Sequence, residues 1–298
     1  MSKCVYNKRV NKIYRQARQR KMKKTGNKIL TVQDLSCAGQ CSLTVALPIL
    51  SAFGQETCVL PTALLSEHTM FKHFTFLDLA ENMKDTLESW KKDGHRFAAF
   101  YTGYLGKKEH FAIVERAMDE LSEPSAPVII DPAFGDNGKL YPLFDEEYVD
   151  GMRKFVRRAD VILPNITEAC YLAKKAYEPP YDRAAVGKLI EALAPFGDYD
   201  IVLKGVEEGD RIGFAYFDRK TGETSFYLRK KMNGMFHGTG DIFASVFTGA
   251  YLAGNGKFES AKAAAEFVAL AISVNDEGHA YGVQFEKELA AFALPYIQ

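Results

Sequence analysis

Short apolar runs alternate with amphipathic stretches along the chain from Lys28 onward. Runs such as "KILTV" and "DIVLKG" are short and continuous, which is typical of strands buried on both faces. Between them, apolar residues recur at helical spacing, as at Leu79, Met83 and Leu87. The pattern predicts strands at 28–32, 57–61, 96–106, 126–132, 160–165 and 200–205. It predicts helices at 42–54, 79–94, 107–123, 146–159, 167–176, 183–197, 239–254 and 260–278.

Residues 212–231 depart from this rhythm, because apolar and polar residues alternate around the turn-forming "RKTGE". This segment predicts an antiparallel hairpin. The alternation elsewhere predicts a three-layer α/β fold, with a mostly parallel sheet between two layers of helices. In such sheets ligands bind beyond the carboxyl ends of the strands. With no internal repeat or linker in view, residues 29–298 are expected to form one domain.

Composition and charge limit the classes of partner that the protein is expected to bind. The chain has 298 residues, is 47% hydrophobic, and carries 38 basic and 38 acidic residues. A formal net charge of zero favours neither nucleic acid nor an anionic membrane as partner, so a small molecule is expected. Residues 1–28 are basic and contain no acid. We interpret them as a disordered or non-essential extension, although a basic arm or a targeting peptide has the same composition.

The five cysteines are an odd number in a long chain, and neither a secretory signal nor a long apolar run accompanies them. This usage predicts a cytoplasmic protein. No paired cysteine or histidine spacing indicates a zinc site.

The most informative stretch is "FHGTGDIFASVFTGAYLAG", at 236–254. Gly238, Thr239 and Gly240 precede an apolar helical run, and Asp241 lies in its first turn. Glycines allow close backbone approach, and a helix N-terminus attracts anions. Asp241 alone has the simpler interpretation of a helix cap. An anion hole beside a general base nevertheless suits phosphoryl transfer to a hydroxyl group. The P-loop, the protein-kinase H-R-D sequence and the G-x-G-x-x-G fingerprint are all absent.

These residues resemble the signature of the ribokinase-like superfamily. Segments similar to the pyridoxal kinase branch follow in order at 60–71, 101–106, 128–141 and 162–172. The resemblance implies a ribokinase-like fold whose antiparallel hairpin lies near the nucleotide. It also implies ATP- and Mg²⁺-dependent phosphorylation of the 5′-hydroxymethyl group of pyridoxal, pyridoxine or pyridoxamine. A monovalent-ion requirement and the preferred vitamer stay open, and homodimers are typical of the resembled family.

The same resemblance implies roles for individual residues. Asp241 would be the base, with the Gly238, Thr239 and Gly240 amides as the anion hole. The positions implied on the ATP and Mg²⁺ side are Asp131, Asn165, Glu168 and Lys204, of which Asp131 and Glu168 would serve the metal. Thr69 and Met70 would lie against the pyridine ring.

Simpler interpretations remain for these positions. Asn165 has the alternative role of a cap for the following helix, and Glu168 that of an offset to its dipole. Asp131 has the alternative role of a strand terminator before its proline, and Lys204 that of a solvated strand end. His237, beside the motif, is expected to have a local packing or hydrogen-bonding role.

The first loop, "VQDLSCAGQCSL" at 32–43, departs from the pyridoxal kinase pattern. It has Gln-Asp where Gln-Ser is common, and its "CAGQ" is similar to the loop of hydroxymethylpyrimidine kinases. Two roles stay open for Asp34 and Ser36: a hydrogen bond to a ring substituent, or shaping of the turn. The alternatives are therefore a hydroxymethylpyrimidine kinase of thiamine metabolism, a sugar or nucleoside kinase of the superfamily, or a non-catalytic nucleotide- or pyridoxal-binding sensor.

Overall fold

The fold is built on a central sheet. The computed structural model describes residues 28–232, 238–276, 279 and 281–296. The predicted extension at 1–28 lies outside these residues, apart from Lys28. The strands are β1 (Lys28–Ser36), β2 (Glu56–Leu65), β3 (Phe76–Asp78), β4 (Ala99–Thr102), β5 (Val128–Ile130), β6 (Gly135–Asp136), β7 (Lys139–Leu140), β8 (Val161–Ile162), β9 (Asp200–Glu208), β10 (Arg211–Asp218) and β11 (Glu223–Lys230).

Nine of these strands form one sheet in the order β11-β10-β9-β8-β5-β4-β1-β2-β3. All pairings from β9 to β2 are parallel. The pairs β9–β10, β10–β11 and β2–β3 are antiparallel. The predicted hairpin is therefore confirmed as β10–β11, and the mostly parallel sheet is confirmed with it.

Helices cover both faces of this sheet. They are α1 (Leu43–Ala52), α2 (Ala80–Lys92), α3 (Lys108–Leu121), α4 (Glu146–Phe155), α5 (Ile166–Leu172), α6 (Arg183–Leu193), α7 (Thr239–Leu252), α8 (Lys257–Ser273) and α9 (Glu286–Ala293). One core joins the sheet to α2–α6, and a second joins it to α1 and α7–α9. This is the predicted three-layer arrangement. Within the described residues, no helix has the length and apolar character needed to cross a membrane.

Three features differ from the sequence expectation. β1 continues to Ser36, so Asp34 and Ser36 lie in a strand and not in a loop. β3 is three residues long and half-exposed, which is too short for any periodicity to indicate. A third C-terminal helix, α9, buries only Leu289 and Ala293, so its apolar pattern is weak.

β6 and β7 form a small hairpin whose turn is Asn137-Gly138. Both turn residues have positive φ, 50° and 77°. Asn-Gly is the strongest short signal for such a turn, because few other residues adopt these dihedrals. The hairpin places Gly135 beside the start of α5, where the Asn165 side-chain amide donates to its carbonyl at 2.8 Å.

Candidate active site

A cleft of about 400 Å³ opens at the carboxyl ends of β5, β8 and β9, against the start of α7. The sequence predicted a site at this edge of the sheet. Eight of the twelve predicted site residues line the cleft: Asp131, Asn165, Glu168, Lys204, Gly238, Thr239, Gly240 and Asp241. Residues from four separate segments of the chain thus meet in one place.

The start of α7 depends on Gly238. This residue is the N-cap, with φ 82°, and among the described residues no side chain caps the helix. A Cβ at Gly238 would also lie 2.5 Å from the Gln40 carbonyl oxygen. Both the dihedral and the close approach therefore require glycine. The uncapped N-terminus faces the cleft and favours negative charge there.

Asp241 lies in the first turn of α7 and is half-buried. Burial raises the pKa of its carboxyl group to about 6, and the nearby Asp34 adds to the rise. The Ser42 backbone amide and the Lys204 ammonium group act in the opposite direction on this pKa. Such a carboxylate is ionised at neutral pH and more basic than an exposed aspartate, as a general base requires.

Lys204 and Asp131 form a buried ion pair. The Lys204 Nζ donates to both Asp131 carboxylate oxygens at 2.8 Å. Burial opposes the charge on Lys204, but Asp131 and Glu168 raise its pKa overall, so the ammonium group stays protonated. The Nζ atom lies 3.9 Å from the Cβ position of Gly240. A cation therefore stands at the mouth of α7, and Lys204 is not a solvated strand end.

Asn165 and Glu168 form a complete capping box at the start of α5. The Asn165 Oδ1 accepts from the Glu168 amide at 2.9 Å, and the Glu168 Oε2 accepts from the Asn165 amide at 2.8 Å. The other Glu168 oxygen accepts from the Phe134 amide at 3.1 Å. Burial, together with the charge of Asp131, raises the pKa of Glu168. The simpler interpretation of Asn165 as a helix cap is thus confirmed. Glu168, for which the simpler interpretation was an offset to the helix dipole, also completes the capping box, and both residues border the cleft.

The described residues hold no ready-made metal cage, since no three histidine, cysteine or acidic side chains cluster there. Asp131 is paired with Lys204, and both Glu168 oxygens accept backbone hydrogen bonds. This donor set fits a Mg²⁺ ion that arrives with phosphates and keeps most of its waters, which is how Mg²⁺ is commonly bound.

The cleft also has an apolar lining, which the sequence analysis did not identify. Apolar side chains from β10, α7 and α8 contribute to it: Ile212, Phe243, Ala265, Val268, Ala269 and Ile272. Arg229, Lys230 and Lys231 border the same cleft. The cleft therefore combines the polar start of α7 with apolar side chains and basic residues.

The four residues predicted to contact the substrate ring do not line this cleft. Thr69 and Met70 are exposed, Met70 by 70%. Asp34 and Ser36 are buried in β1. In the segment that holds Thr69, the inward residue is His68, whose ring lies so close to Gly39 that a Cβ there would be 2.1 Å from it. His237 lies outside the described residues.

Comparison with known proteins points to one family. The phosphomethylpyrimidine kinase family model matches residues 47–285. A protein of Bacteroides thetaiotaomicron assigned to these kinases, in a crystal form with pyridoxal, is 34% identical with a TM-score of 0.85, covering 90% of this chain and 96% of that one. The pyridoxal kinase structure from Lactobacillus plantarum is 29% identical with a TM-score of 0.83, covering 90% of this chain and 97% of that one.

A curated relative agrees with these structures. The pyridoxal kinase of Corynebacterium diphtheriae is 25% identical over 232 residues, which are 75% of this chain and 81% of that protein. The agreement extends over most of both chains, so it concerns the whole domain and not one motif.

Proposed function

Since the chain belongs to the phosphomethylpyrimidine kinase family and is a kinase of the pyridoxal kinase type, we propose that it phosphorylates vitamin B6 compounds. The acceptor is the 5′-hydroxymethyl group of pyridoxal, pyridoxine or pyridoxamine, and the donor is ATP. The observation that carries the proposal is the half-buried Asp241 carboxylate in the first turn of an uncapped helix, in a cleft that Lys204 also lines.

The apolar and the polar residues of the cleft suit the two parts of a nucleotide. The apolar side chains, which include Phe243 and Val268, fit an adenine ring. The phosphates then lie toward Lys204 and the start of α7, where a cation and a helix N-terminus both favour negative charge. In this orientation the terminal phosphate lies next to Asp241.

Asp241 acts in this proposal as the base that accepts the proton of the substrate hydroxyl group. The amides of Gly238, Thr239 and Gly240 then stabilise charge on the phosphoryl group in transfer, because donors aimed at developing charge lower the barrier. Mg²⁺, bound with the nucleotide, would neutralise phosphate charge near Asp131 and Glu168. Lys204 holds Asp131 in place and contributes a positive charge of its own.

The test is ADP release by the purified protein with Mg-ATP, comparing pyridoxal, pyridoxine, pyridoxamine and hydroxymethylpyrimidine at equal concentration. Preference for the pyridines is expected. Turnover of none of the four, with ATP binding intact, would contradict the proposal and favour a nucleotide-binding sensor. Omitting Mg²⁺ should abolish ADP release, which checks the metal requirement in the same assay.

A second candidate is phosphorylation of hydroxymethylpyrimidine. The matched family model is described as phosphomethylpyrimidine kinase, whose named compound is the phosphate ester of this alcohol. The first loop of this chain is also similar to the loop of hydroxymethylpyrimidine kinases. Preference for the pyrimidine in the same assay would select this alternative without changing the roles proposed for the cleft.

A homodimer is the proposed assembly, as the resemblance implies. Leu64 and Leu77 lie opposite each other on β2 and β3 at the outer edge of the sheet, and both are exposed. Such a pair at a sheet edge supports a contact between copies. Light scattering of the wild type and of Leu77→Lys tests this assembly. A cytoplasmic location stays a prediction, which cell fractionation checks.

A further inference from the structure

Arg229 lines the cleft with one edge of its guanidinium group unused. It lies on β11, directly opposite Ile212 of β10, and both residues line the cleft. Its Nη1 atom donates to the Glu266 Oε2 at 3.1 Å and to the Glu266 carbonyl oxygen at 3.5 Å. The hydrogen bonds of this guanidinium group to described residues all come from that one nitrogen atom. The Nε atom is buried and has no hydrogen-bond partner among the same residues.

Arg183 shows how an arginine engages a partner when this edge is used. Its Nε donates to the Glu208 Oε1 at 2.9 Å, and its Nη2 donates to the Glu208 Oε2 at 3.2 Å. The N–H groups of Nε and Nη2 point the same way from a planar group, so they suit two acceptor atoms that lie side by side. Arg229 pairs with Glu266 through Nη1 instead, which leaves the Nε–Nη2 edge for a partner outside the described part of the chain.

Glu266 holds Arg229 in place and neutralises its charge. It lies on α8 next to Ala265, which lines the cleft. The Tyr227 hydroxyl group donates to the second carboxylate oxygen of Glu266, so β11 supplies a donor to each of its oxygens. A neutral ion pair attracts phosphates weakly, and the Glu266 carboxylate repels them. The unused donors of Arg229 therefore suit uncharged acceptor atoms better than phosphate oxygens.

The cleft has room for an uncharged part of a ligand beside Arg229. The Arg229 side chain is 29% exposed, and the α8 lining includes the small side chains of Ala265 and Ala269. A nucleotide has its ribose between the base and the phosphates. In an adenine nucleotide, the 2′- and 3′-hydroxyl oxygens are the uncharged acceptors that lie side by side. Adenine itself does not offer such a pair, because N7 and N1 each neighbour the N6 amino group, which is a donor.

We propose that the Nε–Nη2 edge of Arg229 binds the 2′- and 3′-hydroxyl groups of the nucleotide ribose, and that Glu266 is the positioning residue that holds this edge. The inference rests on the proposed function for the use of ATP, but it does not depend on the vitamin B6 acceptor. It makes Arg229 a specificity-determining residue that favours ribonucleotides over their deoxy analogues.

The first experiment uses the wild type alone, without an acceptor alcohol. Isothermal titration calorimetry in the presence of Mg²⁺ compares ADP, 2′-deoxy-ADP, 3′-deoxy-ADP and GDP. Each deoxy analogue should bind about tenfold more weakly than ADP, because it lacks one of the two acceptors of a charged donor. Equal affinity for the three adenine nucleotides would overturn the ribose contact. If GDP then binds more tightly than ADP, the edge binds guanine N7 and O6 instead.

The second experiment tests whether Arg229 is responsible. Arg229→Met should bind ADP about tenfold more weakly than wild type, and should bind ADP and 2′-deoxy-ADP within about twofold of each other. Arg229→Lys should behave in the same way, because lysine keeps the charge but lacks the planar edge. Arg183→Met is the matched control, since the ion pair of Arg183 with Glu208 does not line the cleft, and its ADP affinity should equal that of wild type. Full ADP affinity in Arg229→Met, or its recovery in Arg229→Lys, would overturn the proposal.

Tripolyphosphate separates a ribose contact from a phosphate contact. It has no ribose, so it should bind wild type and Arg229→Met with affinities within about twofold of each other. Glu266→Ala frees the charge of Arg229, so this variant should bind tripolyphosphate more tightly than wild type and lose the preference for ADP over 2′-deoxy-ADP. Equal losses of tripolyphosphate and ADP affinity in Arg229→Met would assign Arg229 to the phosphates and overturn the proposal. An undiminished preference for ADP in Glu266→Ala would overturn the positioning role of Glu266.

This inference and the proposed function fail in different ways. If wild type prefers ADP as expected but phosphorylates none of the four alcohols, the ribose contact stands and the vitamin B6 assignment fails. If wild type phosphorylates pyridoxal but binds ADP and both deoxy analogues equally, the ribose contact alone fails. If wild type binds no ADP, the ribose contact and the use of ATP fail together.

Discussion

Two helices, α5 and α7, begin at the same cleft, but their N-termini differ in whether a side chain caps them. α5 is closed by a complete capping box, in which Asn165 and Glu168 satisfy each other's backbone amides. α7 begins at Gly238 and has no side-chain cap. At a capped N-terminus, backbone N–H groups of the first turn donate to nearby side chains. At an uncapped N-terminus, these N–H groups and the positive end of the helix dipole are open to a ligand. If the proposed function is right, the contrast separates a structural helix start from a functional one within one cleft.

The largest effect should come from removing the base at the uncapped start. Asp241→Asn should lower kcat by roughly two to four orders of magnitude with little change in ATP affinity, because the charge that accepts the proton is lost and the shape is kept. Steady-state kinetics with ATP titration measure this. The control, Asp145→Asn, keeps the N-cap of α4, which does not line the cleft, and should retain wild-type turnover. Near-normal turnover in Asp241→Asn would remove Asp241 from its role.

The cation that faces α7 should come next. Lys204→Met leaves Asp131 buried without its partner, which should lower the free energy of unfolding by about 3 kcal/mol and raise the ATP KM about tenfold. The double variant Lys204→Met/Asp131→Asn should regain stability but not the low KM. Lys257→Met is the matched control, because Lys257 pairs with the buried Asp200 elsewhere. An unchanged ATP KM in Lys204→Met would show that Lys204 is only a structural partner of Asp131.

The uncapped start itself is tested by Gly238→Ala. The added Cβ meets the Gln40 carbonyl oxygen and the residue keeps a left-handed backbone, so kcat should fall about tenfold and stability by about 1–3 kcal/mol. Gly254→Ala is the control: its φ is 100°, but a Cβ there meets nothing within 4 Å. Equal losses of kcat in both variants would mean that the close approach at Gly238 does not matter for catalysis.

The smallest effect is expected at the capped start. Asn165→Ala removes one side-chain cap and should lower the free energy of unfolding by about 1 kcal/mol, with a smaller loss of kcat than Gly238→Ala. Thermal unfolding measures it. Asp182→Ala removes the corresponding cap of α6, away from the cleft, and should cost about the same stability. A larger loss of kcat at Asn165 than at Gly238 would reverse the distinction between the two helix starts.

The start of α7 was predictable from the sequence because its requirements are local. Gly238, Gly240 and Asp241 are close in the chain, and both glycine and a first-turn acid have specific physical reasons to be there. Asn165 was also predictable, since Asn followed three residues later by Glu is the capping pattern. The layers of the fold followed from the alternation of short apolar runs with amphipathic helices.

Other parts of the site depend on tertiary placement. Ala265 and Val268 lie on an alanine-rich helix, and nothing in their spacing distinguishes a wall of the cleft from an ordinary core face. Asp34 was expected in a loop, but β1 continues past it and the irregular pairing with β2 redirects it. Thr69 and Met70 were favoured by the resemblance, although the inward side chain of that segment is His68.

The layer that contains α7 has a consequence for how the protein is made. Its helices come from opposite ends of the chain, with α1 near the start and α7, α8 and α9 at the end. All strands are synthesised before α7 leaves the ribosome, so one apolar face of the sheet has little cover until then. Transiently exposed apolar surface of this kind makes a growing chain prone to aggregation. The last helices complete both the core and the candidate site, so we expect a nascent chain to gain its stability and its activity together.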